Sequence, residues 1–373
     1  MEEKRVPLYR QVYGALERGI RSGRWKRGDR LPSEAQLVRD FGASRITVGR
    51  AVRDLQQAGL VERHAGSGTF VKASRGPAAH SFGLLIPDLG ETEIFEPICQ
   101  GMMSSPLAEE HALVWGSLAN AGPSNAENAW QLCRQYIDRK VSGVFFAPLE
   151  FVPSRDEVNA RIVRALDEAS IPIVLLDRAA TPFPRRGGHD LVGLDNRHAG
   201  FVVTDHLLGL GARRIGFIAM PGAAPTVEAR ESGYREALLA HGVEPERSLM
   251  RRLDPDDAQA VGALLAESRP EALVCANDRT AARIMRTLGG LGRGVPNEVR
   301  LVGIDDAGYA ALLPMPLTTL RQPTRQIGAA ALAAMLDRVD GSDLPPRDIL
   351  LQGALIVRGS CGASAGAEGT LGS

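Results

Sequence analysis

No apolar stretch of this chain approaches the roughly 20 residues that a membrane-spanning helix requires, so no segment reads as transmembrane. The opening residues, MEEKRVPLYR, lack the apolar core of a secretory signal, which makes the cytoplasm the expected compartment. The four cysteines, Cys99, Cys133, Cys275 and Cys361, are scattered and none forms a CxxC. That spacing suggests neither a zinc site nor a disulfide framework. Three of them are expected to be buried thiols and the fourth to lie in a C-terminal tail. HExxH, GxxxxGK[ST] and a Ser-His-Asp arrangement are all missing, so no enzyme, cofactor or metal is expected. A hydrolytic site assembled from distant residues would leave no spacing signature, but nothing in the chain suggests one. Beyond residue 72 the only lysine is Lys140.

The chain is long enough, at 373 residues, for two or three domains, and its 44 basic and 44 acidic side chains cancel. The zero hides an asymmetry. Residues 1–72 hold 15 Lys/Arg against 8 Asp/Glu, a charge of +7, and the remainder therefore carries −7. A basic head on an acidic body points to a nucleic-acid partner for the head; clustering on a solvated face is the alternative.

Leu8, Val12, Leu16 and Ile20 recur at helical spacing and predict a helix over 8–22. GRWKRGDRLP interrupts it. Ser33 is placed to cap a helix over 34–41 that Gly42 ends, and Ser44 to cap a third over 45–58 that Gly59 closes. Residues 60–62 and 69–72 read as short strands around HAGSG. Three short helices followed by a hairpin predict a winged helix-turn-helix, with Leu37, Val48, Val52 and Leu55 in its core. In such a domain the helix after the turn enters the major groove N-terminus first. Ser44 and Thr47 are placed to donate hydroxyls to phosphates, and Arg45 to pair with guanine O6 and N7. The wing glycines let the chain approach the backbone or minor groove.

The stretches PLYRQV, GDRLPSEAQL, GASRITV, AVRDLQQAGLVER and GSGTFV resemble the DNA-binding domain of the GntR family over nearly all of residues 6–72. The resemblance implies DNA contacts from the turn, the recognition helix and the wing. It puts forward Ser33, Glu34, Ser44, Arg45, Thr47, Arg50, His64 and Gly66. Two positions depart. Gly49 stands where family members usually carry an arginine, with Arg50 following it, and an arginine common near Ala35 is missing. A glycine inside a helix costs about 1 kcal/mol relative to alanine.

ASRGPAAH, residues 73–80, is a linker by composition. Beyond it, short apolar runs alternate with periodic segments. FGLLIP, ALVWGS, GVFFAP and IPIVLLD form one set; LVGLD, RIGFIA, ALVCAN and VRLVGID form another. Strands so apolar are buried on both faces, which predicts an α/β body of doubly wound parallel sheets in two lobes with a cleft between them. GSCGASAGAEGTLGS, residues 359–373, reads as a disordered tail.

Known partners of GntR heads narrow the second module. An aminotransferase partner needs a Schiff-base lysine, and Lys140 sits ahead of a strand at a solvated helix end. Dispersed histidines argue against a metal-binding helical partner, and a chorismate-lyase-like partner is about half this length. GLLIPD, IPIVLLDR, VGLDNRHAG, HLLGLGARRIGFI, EARESGYREAL, CANDRTA, VRLVGIDD and PLTTLRQP, in this order, resemble the effector domain of LacI/GalR repressors over residues 81–358. That domain shares its fold with periplasmic sugar-binding proteins. The LacI-type hinge helix is absent, so the whole resembles the arabinose-repressor type of regulator.

In parallel sheets ligands sit beyond the carboxyl ends of strands. Asp177 and Arg178 end one apolar run, and Asn277 and Asp305 end two others. Arg230 opens a helix facing the same edge, Gln322 follows a lobe crossover, and Phe95 is placed to stack on a sugar ring. Asn196 is a weaker candidate. Plain alternatives remain open: a surface ion pair for Asp177–Arg178, helix caps for Asn277 and Asp305, and core for Phe95. Ile94 and Thr92 depart from the ribose-binding pattern. The expected function is a homodimeric transcription repressor that a small, pentose-like sugar releases from a double-stranded operator. A purine or nucleoside effector, and a ligand acting as corepressor, stay open.

Overall fold

A computed structural model of the chain describes residues 8–21, 24–25, 28–57, 60–64, 67–71, 80–86, 93–116 and 124–363. Gly59, Gly66, Thr92, linker positions 73–79 and positions 364–373 fall outside them. The chain divides after residue 80 into two units.

The first unit holds α1 (Leu8–Arg21), α2 (Glu34–Phe41) and α3 (Arg45–Gln57), then a hairpin of β1 (Val61–His64) and β2 (Gly68–Val71). Ser33 caps α2 by accepting from the Gln36 N–H at 3.2 Å, and Gly42 ends it in the left-handed region at φ 58°. The Thr47 N–H donates to Ser44 Oγ at 3.2 Å, so Ser44 caps α3. Val12, Leu16, Leu37, Val48, Val52 and Leu55 join Val61 and Val71 in one core. The hairpin is antiparallel with His64 opposite Gly68, and residues 29–31 lie along β2 through Leu31 N–Thr69 O and Val71 N–Asp29 O, both 2.9 Å. This is the expected winged helix-turn-helix.

The second unit begins with β3 (Ser81–Leu85), α4 (Phe95–Met103), β4 (Ala112–Trp115), α5 (Asn125–Asp138), β5 (Gly143–Phe146), α6 (Arg155–Glu168), β6 (Ile173–Leu176) and β7 (Asp190–Leu194). The chain then crosses into a second lobe of α7 (Asn196–Gly209), β8 (Ile215–Ala219), α8 (Pro225–Ala240), β9 (Met250–Arg252), α9 (Ala258–Ser268), β10 (Ala272–Cys275), α10 (Asp278–Gly290), β11 (Arg300–Asp305) and β12 (Thr318–Arg321). It returns to the first lobe for α11 (Thr324–Val339) and β13 (Asp348–Leu351), and ends in the second with β14 (Ala354–Ile356). The sheet orders are β13-β7-β6-β5-β3-β4 and β14-β12-β11-β10-β8-β9. Every pairing is parallel except β12 with β14.

Alternation along the strands explains the apolar runs. Phe82, Leu84, Phe145, Val174 and Leu176 point into a core with α4 and α11. Their neighbours Leu85, Val144, Phe146, Ile173 and Leu175 point into one with α5 and α6. In the second lobe Phe217, Val274 and Val302 face α7 and α8, and Ile218, Leu273 and Leu301 face α9 and α10. A strand buried on both faces has no polar side to show.

Three expectations need correcting. LVGLD forms β7 and pairs with β6, so it belongs to the first lobe and the crossover comes after it. Each sheet has six strands rather than four, because β9, β12, β13 and β14 are three or four residues long and none is an unbroken run of buried apolar residues. Residues 359–361 are part of the second lobe and not of a tail. Ser360 Oγ donates to Leu301 O at 2.7 Å and accepts from the Thr318 N–H at 2.8 Å, and Cys361 is buried with the other three cysteines.

Candidate nucleic-acid interface and ligand cleft

On the first unit, Ser44 and Arg45 are exposed at the head of α3. The Ser44 and Thr47 hydroxyls bond one another at 2.8 Å, so one of the two hydroxyl protons stays available to an outside acceptor. Arg50 sets its guanidinium 4.1 Å from the Tyr9 ring centroid, a cation–π distance that holds it against α1. Glu34 takes a 2.7 Å ion pair from Arg63 of β1. The pair compensates the Glu34 charge and ties α2 to the hairpin. His64 is exposed at the end of β1 and meets Glu62 at 3.0 Å. Ser33 is committed to its cap, and Gly66 lies outside the described residues. One residue went unnoticed in the sequence: Ile46, 81% exposed beside Arg45, an apolar group at the leading turn.

On the second unit, six of the seven expected effector residues line one cleft at the carboxyl ends of the strands. Asn277, Asp305 and Gln322 line a chamber of about 1070 Å³. Asp177, Arg178 and Arg230 line a narrower recess that also touches Asn277 and Asp305. Arg178 donates to Pro148 O and Glu150 Oε1, both at 2.7 Å, and lies 3.3 Å from Asp177 Oδ2. Arg230 sits in the second turn of α8 rather than at its start. Its Nε donates to Asn196 Oδ1 at 2.7 Å, another N–H donates to Ala276 O at 2.6 Å, and the guanidinium is 3.6 Å from Asp305 Oδ1. Asn196 is therefore a support for Arg230. Gln322 Nε2 donates to Asp305 Oδ1 at 2.7 Å. Asn277 is a cap as well as a wall, accepting from the Thr280 N–H at 2.8 Å.

The backbone is strained where the cleft is built. Asp177 (φ 66°), Phe151 (φ 55°), Asp305 (φ 137°) and Asp306 (φ 54°) all have positive φ without being glycine. Each such residue costs on the order of 1–3 kcal/mol and clusters at functional sites. Burial first, then the nearby Asp278 and Asp177 carboxylates, push the Asp305 carboxyl above its ordinary range, with Arg230 and Gln322 opposing. Among the described residues three buried side-chain oxygens have no partner: Gln135 Oε1 of α5 and, in the cleft, Asp177 Oδ1 and Gln322 Oε1. Unsatisfied buried polar atoms are costly, and the latter two belong to residues of the cleft wall.

Residues 8–71 match the family described as bacterial regulatory proteins, gntR family, and residues 204–361 match the periplasmic binding protein-like domain. The chain joins a GntR-type helix-turn-helix domain to a periplasmic-binding-protein-like domain. Over 372 residues it is 26% identical to the arabinose metabolism transcriptional repressor of Geobacillus stearothermophilus, covering 96% of this chain and 99% of that protein. Among solved structures, a transcriptional regulator CelR–cellobiose complex superposes with a TM-score of 0.64 at 25% identity, covering 85% of this chain and 91% of that one. The transcription regulator GntR from Chromobacterium violaceum does so at 0.60 and 27%, covering 76% and 100%. The chain is a DNA-binding transcription regulator and not an enzyme. No helix among the described residues is long and apolar enough to cross a membrane.

Phe95 is the expected residue that this regulator does not bring to the cleft. It is 0% exposed in the first-lobe core, with Arg178 5.6 Å above its ring. Its neighbour Ile94 lines the cleft instead, because one step along a helix turns the side chain by about 100°. The ring available to a ligand is Phe151, 48% exposed and lining both chamber and recess. Glu150 was also missed; both follow the apolar run of β5 at the same strand edge.

Proposed function

We propose that this regulator is a sugar-responsive repressor, acting as a cytoplasmic homodimer on a palindromic operator. The cleft takes a pentose-sized ring, with Asp177, Arg178, Arg230, Asn277, Asp305 and Gln322 addressing its hydroxyls. The observation that carries this reading is the pair of unpartnered oxygens on Asp177 and Gln322. Both are acceptors, and sugar hydroxyls are donors of the right size to meet them. The names of the similar proteins, an arabinose repressor and a regulator in complex with cellobiose, support the same class of effector.

Ligand closes the lobes on itself, and closure moves the two heads off the half-site spacing. The shift in DNA affinity is bounded by the ligand's differential affinity for the two states. The test uses DNA selected from random sequence by the full chain. Arg45→Ala is expected to lose the preference for selected over random DNA, while Arg230→Ala keeps it and loses release by sugar. Release of Arg230→Ala at the wild-type sugar concentration would refute the cleft assignment. A panel containing purines and nucleosides alongside sugars decides between the effector classes, and a sugar that tightens DNA binding would reverse the sign.

A further inference from the structure

Ile46 is 81% exposed on the first unit and stands outside that unit's apolar core. It occupies the second position of α3, two residues before the fully buried Val48. Two steps along a helix turn a side chain by about 200°, so Ile46 points almost directly away from the core. Of the other large apolar side chains among the described residues of this unit, only Leu8 of α1 is exposed, at 42%. An apolar side chain stabilises a fold by leaving water, and a β-branched one lowers helix propensity. Neither packing nor propensity accounts for an isoleucine at this place.

The polar groups near Ile46 on α3 are engaged with the protein. The Ser44 and Thr47 hydroxyls bond one another at 2.8 Å. The Arg50 guanidinium lies 4.1 Å from the Tyr9 ring centroid, and Arg53 Nε donates to Gly49 O at 3.2 Å. Gly49 follows Ile46 by about one turn, and a Cβ built there would meet nothing within 4 Å, so the space beyond Ile46 on that side is open. Arg45, Arg50 and Arg53 are exposed around it. The isoleucine thus rises from a cationic surface of the kind a polyanion covers. In the major groove the apolar group on offer is the C5-methyl of thymine, and apolar side chains meet it there.

We propose that Ile46 reads the C5-methyl group of a thymine in the major groove, within two base pairs of the guanine that Arg45 addresses. This rests on the reading of α3 as the recognition helix. Consecutive Cα atoms are about 3.8 Å apart and base pairs about 3.4 Å, which keeps the two contacts that close. The test uses the full chain and DNA that it selects from random sequence. Each thymine of that DNA is replaced in turn by deoxyuridine, which keeps every hydrogen-bonding group and removes the methyl alone. At one thymine or more the replacement is expected to weaken wild-type binding about fourfold, the factor that burial of one methyl group implies. The same replacement is expected to leave Ile46→Ala unchanged, while Ile46→Val, which keeps an apolar branch, still feels it. Wild type indifferent to every uracil, or Ile46→Ala with the full penalty at each sensitive thymine, overturns the proposal. If Arg45→Ala meanwhile loses its preference for the selected DNA, the recognition-helix reading stands without Ile46. Uracil without effect together with an Arg45→Ala that stays selective overturns both.

Discussion

Gly200 of α7 lies so close to the Arg230 carbonyl of α8 that a Cβ built on it would fall well inside contact distance of that oxygen. The contact is reciprocal, since Gly233 of α8 meets the Arg197 carbonyl of α7 in the same way. The first lobe repeats the device, with Gly101 of α4 against the Arg325 carbonyl and Gly328 of α11 against that of Ile98. In both lobes, paired glycines let the backbones of two helices touch, and one helix of the second-lobe pair carries Arg230 into the cleft.

Gly200→Ala must therefore push α7 and α8 apart, because the obstacle is backbone and cannot swing aside. Overpacking of this kind costs about 1–3 kcal/mol, and the displaced α8 takes Arg230 with it. Thermal denaturation is expected to show the loss, and sugar titration a weaker effector. Gly262→Ala in α9 is the control, since a Cβ there meets nothing within 4 Å; it is expected to hold or raise stability. Equal behaviour of the two variants would refute the close-packing argument.

The buried carboxyls of the second lobe set one side of the pH dependence. Asp305 and Asp278 both sit above the ordinary carboxylate value of 3.8, burial being the main cause in each. A group whose folded pKa is raised contributes stability that is full below the unfolded value and is lost as pH climbs through the folded one. The melting temperature is thus expected to fall as pH rises above about 4 toward neutrality. Asp305→Asn mimics the protonated form, so it is expected to raise the melting temperature relative to wild type at pH 8 and to leave it nearly unchanged at acid pH. A wild-type curve flat over that range, or a variant that loses stability most at pH 8, would count against it.

How much of this site was legible in sequence follows from strand burial. Apolar runs that stop abruptly at Asp177, Asn277 and Asp305 mark strand ends, because a polar side chain becomes tolerable only where the sheet stops. Gln322 was reached differently, from its place after a lobe crossover, and the strand before it, β12, was not read as one. Phe95 and Phe151 were not separable that way. Whether a residue at the head of α4 faces core or cleft depends on helix rotation, and Phe151 sits in a loop with no period to read. The lobe of β7 was hidden for another reason. β6 and β7 are joined without a helix, by residues 177–189, so the rhythm that elsewhere marks a βαβ step is missing where the lobe assignment is decided. In the first unit the caps Ser33 and Ser44 and the left-handed Gly42 were all readable, whereas the pairing of Glu34 with Arg63 joins residues 29 apart and has no local signal.

Asp190 sets the opposite limb. Burial alone would raise its carboxyl, but hydrogen bonds from Arg338 at 2.7 and 3.0 Å and from Arg347 at 2.7 and 2.8 Å hold it well below the ordinary range. A lowered folded pKa contributes stability above the unfolded value and loses it as pH falls through the folded one. Asp190→Asn strands two arginines around a fully buried position, where breaking such a cluster costs about 3–5 kcal/mol. Denaturant titration of the full chain is expected to show that loss at pH 7 and a clearly smaller one at about pH 2, part-way between the unfolded value and the depressed folded one. An equal loss at both would place the effect in packing rather than charge.

Gly49 offers a test of the head domain. A Cβ there meets nothing within 4 Å, so Gly49→Ala removes the helix penalty of about 1 kcal/mol without a clash. Amide exchange along α3 in the full chain is expected to slow about fivefold, the factor that free energy implies. Gly49→Arg restores the side chain that GntR-type heads usually carry at this point, on the same helical face as Arg45, one turn later. Arg50 already lies over Tyr9 and points elsewhere, so the new arginine adds a phosphate contact rather than duplicating one. The slope of log affinity for DNA against log salt is expected to steepen by about 0.9, the value for one further neutralised phosphate. An unchanged slope would assign that phosphate to Arg50 and show that the cation–π seat on Tyr9 is given up when DNA binds.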